Sequence, residues 1–197
     1  MALTGLCFCT FLIIHLIGNL MLYVGADAFN RYAERLHALG PLITIFELGL
    51  LTFGVVHVLT GATLFFQNLR ARPVRYAVNH RAGGRTLGSF TMPYTGILLL
   101  IFVVIHLIDF HFADKTDATI YEIVSTTLAK PGYLIFYVFA MVVAAVHISH
   151  GFWSAFQTMG ANHPKYMPTV QVLGIIFSIV VGVGFGFIPI YLGFLMV

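Results

Sequence analysis

Six histidines lie within or at the ends of long apolar segments: His15, His57, His106, His111, His147 and His150. An ionisable side chain at membrane depth is costly, so each is read first as a functional group. Imidazole is also the commonest biological metal ligand. Counted at ~1.5 Å per residue from the start of their segments, His15 and His106 lie about 18–22 Å from the surface at which both segments begin. Counted the same way, His57 and His147 lie about 21–22 Å from the opposite surface. The four therefore form two pairs, one per leaflet, each drawing one residue from each of two segments. Two imidazoles from different helices, one pair above the other, suit two b-type haems. Bis-imidazole ligation leaves no iron position open and so suits electron transfer, and bundle cores are where such cofactors are held. No Cys-x-x-Cys-His occurs, which argues against covalent haem attachment. Gly18, Gly61 and Gly151 follow His15, His57 and His147 by three or four positions and return to the same helix face. They are expected to let a flat macrocycle approach the backbone. The plain alternative, hydrogen bonding between helices, accounts for one isolated intramembrane His more easily than for four at matched depths.

The elements that must position these residues follow from composition. The chain has 197 residues, 59% of them hydrophobic and 9% charged, with a mean hydropathy of +0.95. A water-facing surface cannot be built from so few charges, which excludes nucleic-acid binding and secreted disulfide scaffolds. Apolar runs long enough to span a bilayer cover residues 3–24, 42–69, 91–112, 133–156 and 170–197. The expected fold is all-α, one membrane domain over residues 1–197 with five transmembrane helices, the first four enclosing two stacked haems. The first run is longer than a signal-peptide core and lacks a basic lead, so it is taken as a span. Cys7 and Cys9 are two apart on a helix, face different directions and read as packing thiols. Neither an internal repeat nor a soluble domain is expected.

Loop charge sets the orientation. The second loop carries Arg70, Arg72, Arg75, Arg81 and Arg85 without an acid, whereas the third carries Asp114, Asp117 and Glu122 against Lys115 and Lys130. The positive-inside rule puts the basic loop in the cytoplasm. The N-terminus and Lys165 are then cytoplasmic and the C-terminus outside; Arg31 and Arg35 on the outer side run against the trend. His37, His80 and His163 fall in or beside loops and are expected to meet water.

The segments His15-Leu-Ile-Gly-Asn-Leu, Ala28-Phe-Asn-Arg-Tyr-Ala, Phe46-Glu-Leu-Gly-Leu-Leu, Asn68-Leu-Arg-Ala-Arg-Pro, Tyr94-Thr-Gly and His147-x-x-x-Gly-Phe-Trp-Ser resemble the dihaem cytochrome b anchor of bacterial succinate:quinone oxidoreductases. That family comprises the cytochrome b558 type of succinate dehydrogenases and fumarate reductases, and the likeness covers nearly the whole chain. It implies His15 and His106 as ligands of an outer (distal) haem b, and His57 and His147 as ligands of an inner (proximal) one. It selects His147 over His150, which becomes a core residue or a propionate neighbour. It also implies electron transfer between membrane quinone, menaquinone before other quinones, and cytoplasmic flavoprotein and iron–sulfur subunits. FAD and Fe–S clusters belong to those partners, because this chain has neither a Gly-x-Gly-x-x-Gly fingerprint nor a Cys cluster. The location implied is the bacterial cytoplasmic membrane. Arg70, Arg72 and Arg75 could dock the iron–sulfur subunit, meet propionates or anchor helix ends.

Quinone chemistry couples protons to electrons and calls for a protonatable group near the haem edge. Glu47, about one and a half turns into the second span, is the first candidate; Asp109 and His111 follow. Some fumarate-reducing members carry a Glu two residues before the fourth ligand, where this chain has Ala145, so a proton path through that position is not expected. Members also carry a lead before the first helix that is not seen ahead of Met1. Two other readings stay open: a dihaem anchor of a different respiratory oxidoreductase, and a haem-free proton-coupled transporter. Against the second, no inverted repeat is evident, and the only helix-breaking features noted are Pro189 and the Gly-rich 182–186 stretch.

Overall fold

A computed structural model describes residues 1–71 and 87–195. The described residues fold as helices joined by short connections. In hydrocarbon, a backbone that is not closed into a barrel satisfies its N–H and C=O groups only as a helix. Five helices are long and apolar enough to span: 2–23, 41–70, 88–111, 131–158 and 167–194. The five expected spans are thus present, with ends moved by three residues at most.

The first span is α1 (Ala2–Asn19) extended by a 3-10 turn, Leu20–Tyr23. The second is α3 (Pro41–Arg70) and the third α4 (Leu87–His106), which runs into a π turn at Leu107–His111. The fourth is α6 (Pro131–Thr158) and the fifth α7 (Met167–Ile190), also ending in a π turn. Pro41 and Pro131 open their helices, where a missing N–H costs nothing. Gly40 (φ 55°) turns the chain into α3 and Gly160 (φ 87°) ends α6, both in backbone regions that disfavour a side chain.

Two further helices occupy connections expected to be plain loops. Between the first and second spans lies α2 (Ala26–His37), and between the third and fourth lies α5 (Ile120–Leu128). Both are amphipathic. Phe29 and Ala33 of α2 and Val124 and Leu128 of α5 are buried, and these short helices pack on each other over one end of the bundle. Thr119 caps α5 through a reciprocal box with Glu122, a Thr-x-x-Glu signal legible in the sequence.

The most extensive packing joins α6 to α7, followed by α4 to α6. At Gly182 of α7 an added Cβ would lie 2.9 Å from the Cβ of Ala145 on α6. Close backbone approach through small residues is how membrane helices associate when lipid is as apolar as their side chains. Ala145 is therefore a helix-packing position, and a longer side chain there would meet α7. By contrast, no residue of α3 is buried within the chain.

Candidate functional site

The structure brings the histidines together in the two sets that depth assigned. At one level, the rings of His15 (α1) and His106 (α4) lie 6.0 Å apart, centre to centre, with perpendicular planes. At the other, His57 (α3) and His147 (α6) are close enough to interact electrostatically.

The His15–His106 pair, called outer after the expected orientation as His57–His147 is called inner, sits in an aromatic box. Phe11 stacks on His15 at 5.1 Å and Phe185 of α7 lies 5.4 Å from it. Phe102, Phe110 and Tyr137 surround His106 at 5.6, 5.2 and 6.1 Å. Asn19 donates to the His15 backbone carbonyl at 2.8 Å. The Nδ1 of His106 is buried and has no hydrogen-bond partner among the described residues.

The inner pair is held differently. Thr4 Oγ1 lies 3.0 Å from His57 Nδ1, and Thr95 Oγ1 lies 3.0 Å from His147 Nδ1. Each hydroxyl already donates to a backbone carbonyl, Thr4 to Met1 at 2.8 Å and Thr95 to Thr91 at 3.0 Å. Its oxygen is thus left to accept the imidazole N–H, which assigns the proton to Nδ1 and leaves the Nε2 lone pair available.

The donor set fits haem iron. Among the described residues no group of three or more His, Cys, Asp or Glu could hold a bare metal ion. A porphyrin brings its own four nitrogens, so each iron asks the protein for only two imidazoles. Two metal–imidazole bonds of ~2 Å, with the ring radii added, put ring centres roughly 6 Å apart, the scale of the His15–His106 separation.

The glycines at this site are not those expected. The Cβ direction of Gly18 is filled by the Tyr32 ring of α2, that of Gly61 faces Met1, and that of Gly151 faces Met92. Gly5 and Gly96 instead lie against the inner imidazoles: a Cβ there would stand 3.5 Å from His57 Cε1 and 3.6 Å from His147 Cε1. They were missed because they sit on the partner helix, not on the helix that carries the histidine. The signal available was Thr-Gly, present at both positions.

At the outer end, Glu47 (α3) lies 3.8 Å from His111 Nδ1. Two residues earlier, Asp109 turns the other way, accepting from Tyr137 at 2.9 Å and Tyr133 at 3.4 Å. The π turn separates them: Phe112 N–H reaches back five residues to the Leu107 carbonyl at 2.9 Å, and such turns often occur at functional sites.

His150 lies beside Gly88 and edge-on to Trp153 at 4.8 Å. His37 donates to the Ala33 carbonyl at 2.8 Å, and His163 stacks on Tyr166 at 5.5 Å; both are exposed. Cys7 is exposed and Cys9 half-buried, and neither is in a disulfide. Arg70 ends α3 in an exposed position. Arg72, Arg75, His80, Arg81 and Arg85 lie outside the described residues.

Comparison with known proteins points the same way. The chain is 28% identical over 152 residues to the succinate dehydrogenase cytochrome b558 subunit of Bacillus subtilis (strain 168), a match covering 76% of this chain and 72% of that protein. No family model and no solved structure matches this chain. Similarity to a cytochrome b subunit agrees in kind with a bundle that groups imidazoles from different helices.

Proposed function

We propose that this protein is the dihaem cytochrome b anchor of a succinate:quinone or quinol:fumarate oxidoreductase. The observation that carries the reading is the grouping of four imidazoles from α1, α3, α4 and α6 into two pairs at two levels, in a relative of a succinate dehydrogenase cytochrome b subunit. His15 and His106 would hold the outer haem b, His57 and His147 the inner one. When bound, each haem supplies one-electron transfer at an iron with no open position.

This chain's own residues do the rest. The aromatic box keeps water from the outer pair, and the threonines fix the protons of the inner pair. The dicarboxylate reaction would lie in flavoprotein and iron–sulfur partners at the cytoplasmic face, with the N-terminus inside, the C-terminus outside and the basic loop toward those partners. Electrons would pass between them and quinone, menaquinone being the first choice, at the outer end. There Glu47 would hold or release the quinone proton and His111 would face it.

The test is haem quantitation with a dithionite-reduced minus oxidised spectrum on the wild type and on His57→Ala and His106→Ala. Two b haems in the wild type, with a different one lost from each variant, is the expected result. A haem-free wild type would instead favour the proton-coupled transporter.

A further inference from the structure

The Thr-Gly pairs belong to a larger correspondence. Thr4-Gly5 precedes His15 by eleven residues on α1, and Thr95-Gly96 precedes His106 by the same eleven on α4. Eleven residues are about three helical turns, so each Thr-Gly and its His share one face, about 16 Å apart along the axis. On α3 and α6, His57 and His147 are each followed at the fourth position by Gly61 and Gly151. Contrary to the expectation of no repeat, α1 with α3 and α4 with α6 are two copies of one pattern. Each histidine pair joins corresponding positions of the two copies.

Within each copy, the first helix cradles the inner histidine of the second. Thr4 bonds His57 and Thr95 bonds His147, both at 3.0 Å, and the adjacent glycine lets the imidazole edge lie on the backbone. Thr4 and Thr95 are 9% and 8% exposed, two of the three buried polar residues of the described chain. Burying a hydroxyl in an apolar bundle is unfavourable unless it is bonded, and here the bonds run to the imidazoles and the helix carbonyls. Among the described residues no threonine is hydrogen-bonded to His15 or His106.

Resting on the dihaem reading, we propose that Thr4-Gly5 and Thr95-Gly96 are the positioning elements of the inner imidazole pair. Each threonine oxygen holds the Nδ1 proton, turning Nε2 of His57 and His147 toward the shared ligand. A hydrogen bond to the distal nitrogen makes an imidazole a stronger donor and fixes its rotation. The inner site is therefore electronically distinct from the outer one.

The Met1 carbonyl also reaches His57, so Thr95 gives the cleaner test. In the full chain, expressed with its native partner subunits, Thr95→Val, Thr95→Ser and Gly96→Leu are compared by haem count, redox titration and low-spin electron paramagnetic resonance. Thr95→Val is expected to weaken inner-haem retention about 10–100-fold. In the fraction retained, it is expected to raise the inner midpoint potential and move the inner resonance, leaving the outer haem unchanged. Thr95→Ser should restore wild-type values, and Gly96→Leu should lose the inner haem alone. An unaltered inner potential and resonance in Thr95→Val, or equal loss in Val and Ser variants, overturns the proposal. A wild type without haem defeats the dihaem function instead. The bond is then read from nitrogen-15 shifts of His147: an Nδ1–H tautomer lost in Thr95→Val supports the positioning role, and one unchanged by it refutes that role.

Discussion

Glu47 and His111 face each other at 3.8 Å, both 45% exposed, from the second and third spans. On the proposed function, an acid and an imidazole opposed at an exposed end of the bundle can exchange a proton with a quinone, which takes up protons with electrons. Glu47→Gln is expected to lower quinone turnover by roughly 10²- to 10⁴-fold with both haems retained. His111→Ala should give a smaller loss with the same haem content. Steady-state quinone assays beside haem counts check this, and turnover unaffected by Glu47→Gln would move the proton site elsewhere.

Asp109 braces the turn that follows His106. Its carboxylate accepts from Tyr137, a buried phenol whose ring is also 6.1 Å from His106. Tyr137→Phe removes the shorter of two tyrosine hydrogen bonds and is expected to cost about 1–3 kcal/mol of stability. Tyr133→Phe, with its 3.4 Å contact, should cost less. Thermal unfolding in detergent reads both.

Helices α6 and α7 meet where Gly182 opposes Ala145. Gly182→Leu drives a branched side chain into that contact and is expected to destabilise the chain by about 1–3 kcal/mol. Gly182→Ala should be milder because it adds a single methyl, although at 2.9 Å from the Ala145 Cβ the two helices must still move apart. Equal stability of all three proteins in a detergent melt would show that the two helices separate at little cost.

The α5 cap is sensitive to acid. The Thr119 backbone N–H, and next its hydroxyl, hold the Glu122 carboxyl below its ordinary value of 4.5. A carboxyl lowered in the fold contributes stability above its unfolded value and loses it as the pH falls through the folded one. Protection of the first-turn amides of α5 from hydrogen exchange, taken relative to the unfolded chain at the same pH, should therefore be full above pH 4.5 and fall below it. Glu122→Gln should remove most of that pH dependence.

How much of this was legible in the sequence differs from residue to residue. The five spans, and the sorting of His15 with His106 and of His57 with His147, follow from where apolar runs start and stop, because the rise per residue converts position into depth. Depth carries no information about rotation. A span that is apolar on every side does not reveal which face meets a neighbour. So Gly18, placed by spacing beside a haem, packs on Tyr32 instead, while Gly5 and Gly96 reach the imidazoles from other helices.

The sequence by itself determined the membrane setting, the number of spans and the level of each histidine, all consequences of local composition and a fixed helical rise. The tertiary structure alone decided which partners those residues have: Thr95 for His147, Thr4 for His57, Glu47 for His111 and Tyr137 for Asp109. Those contacts depend on how helices turn about their axes and on the π turn after His106. Both are set by side-chain packing between segments far apart in the chain, which no local pattern encodes.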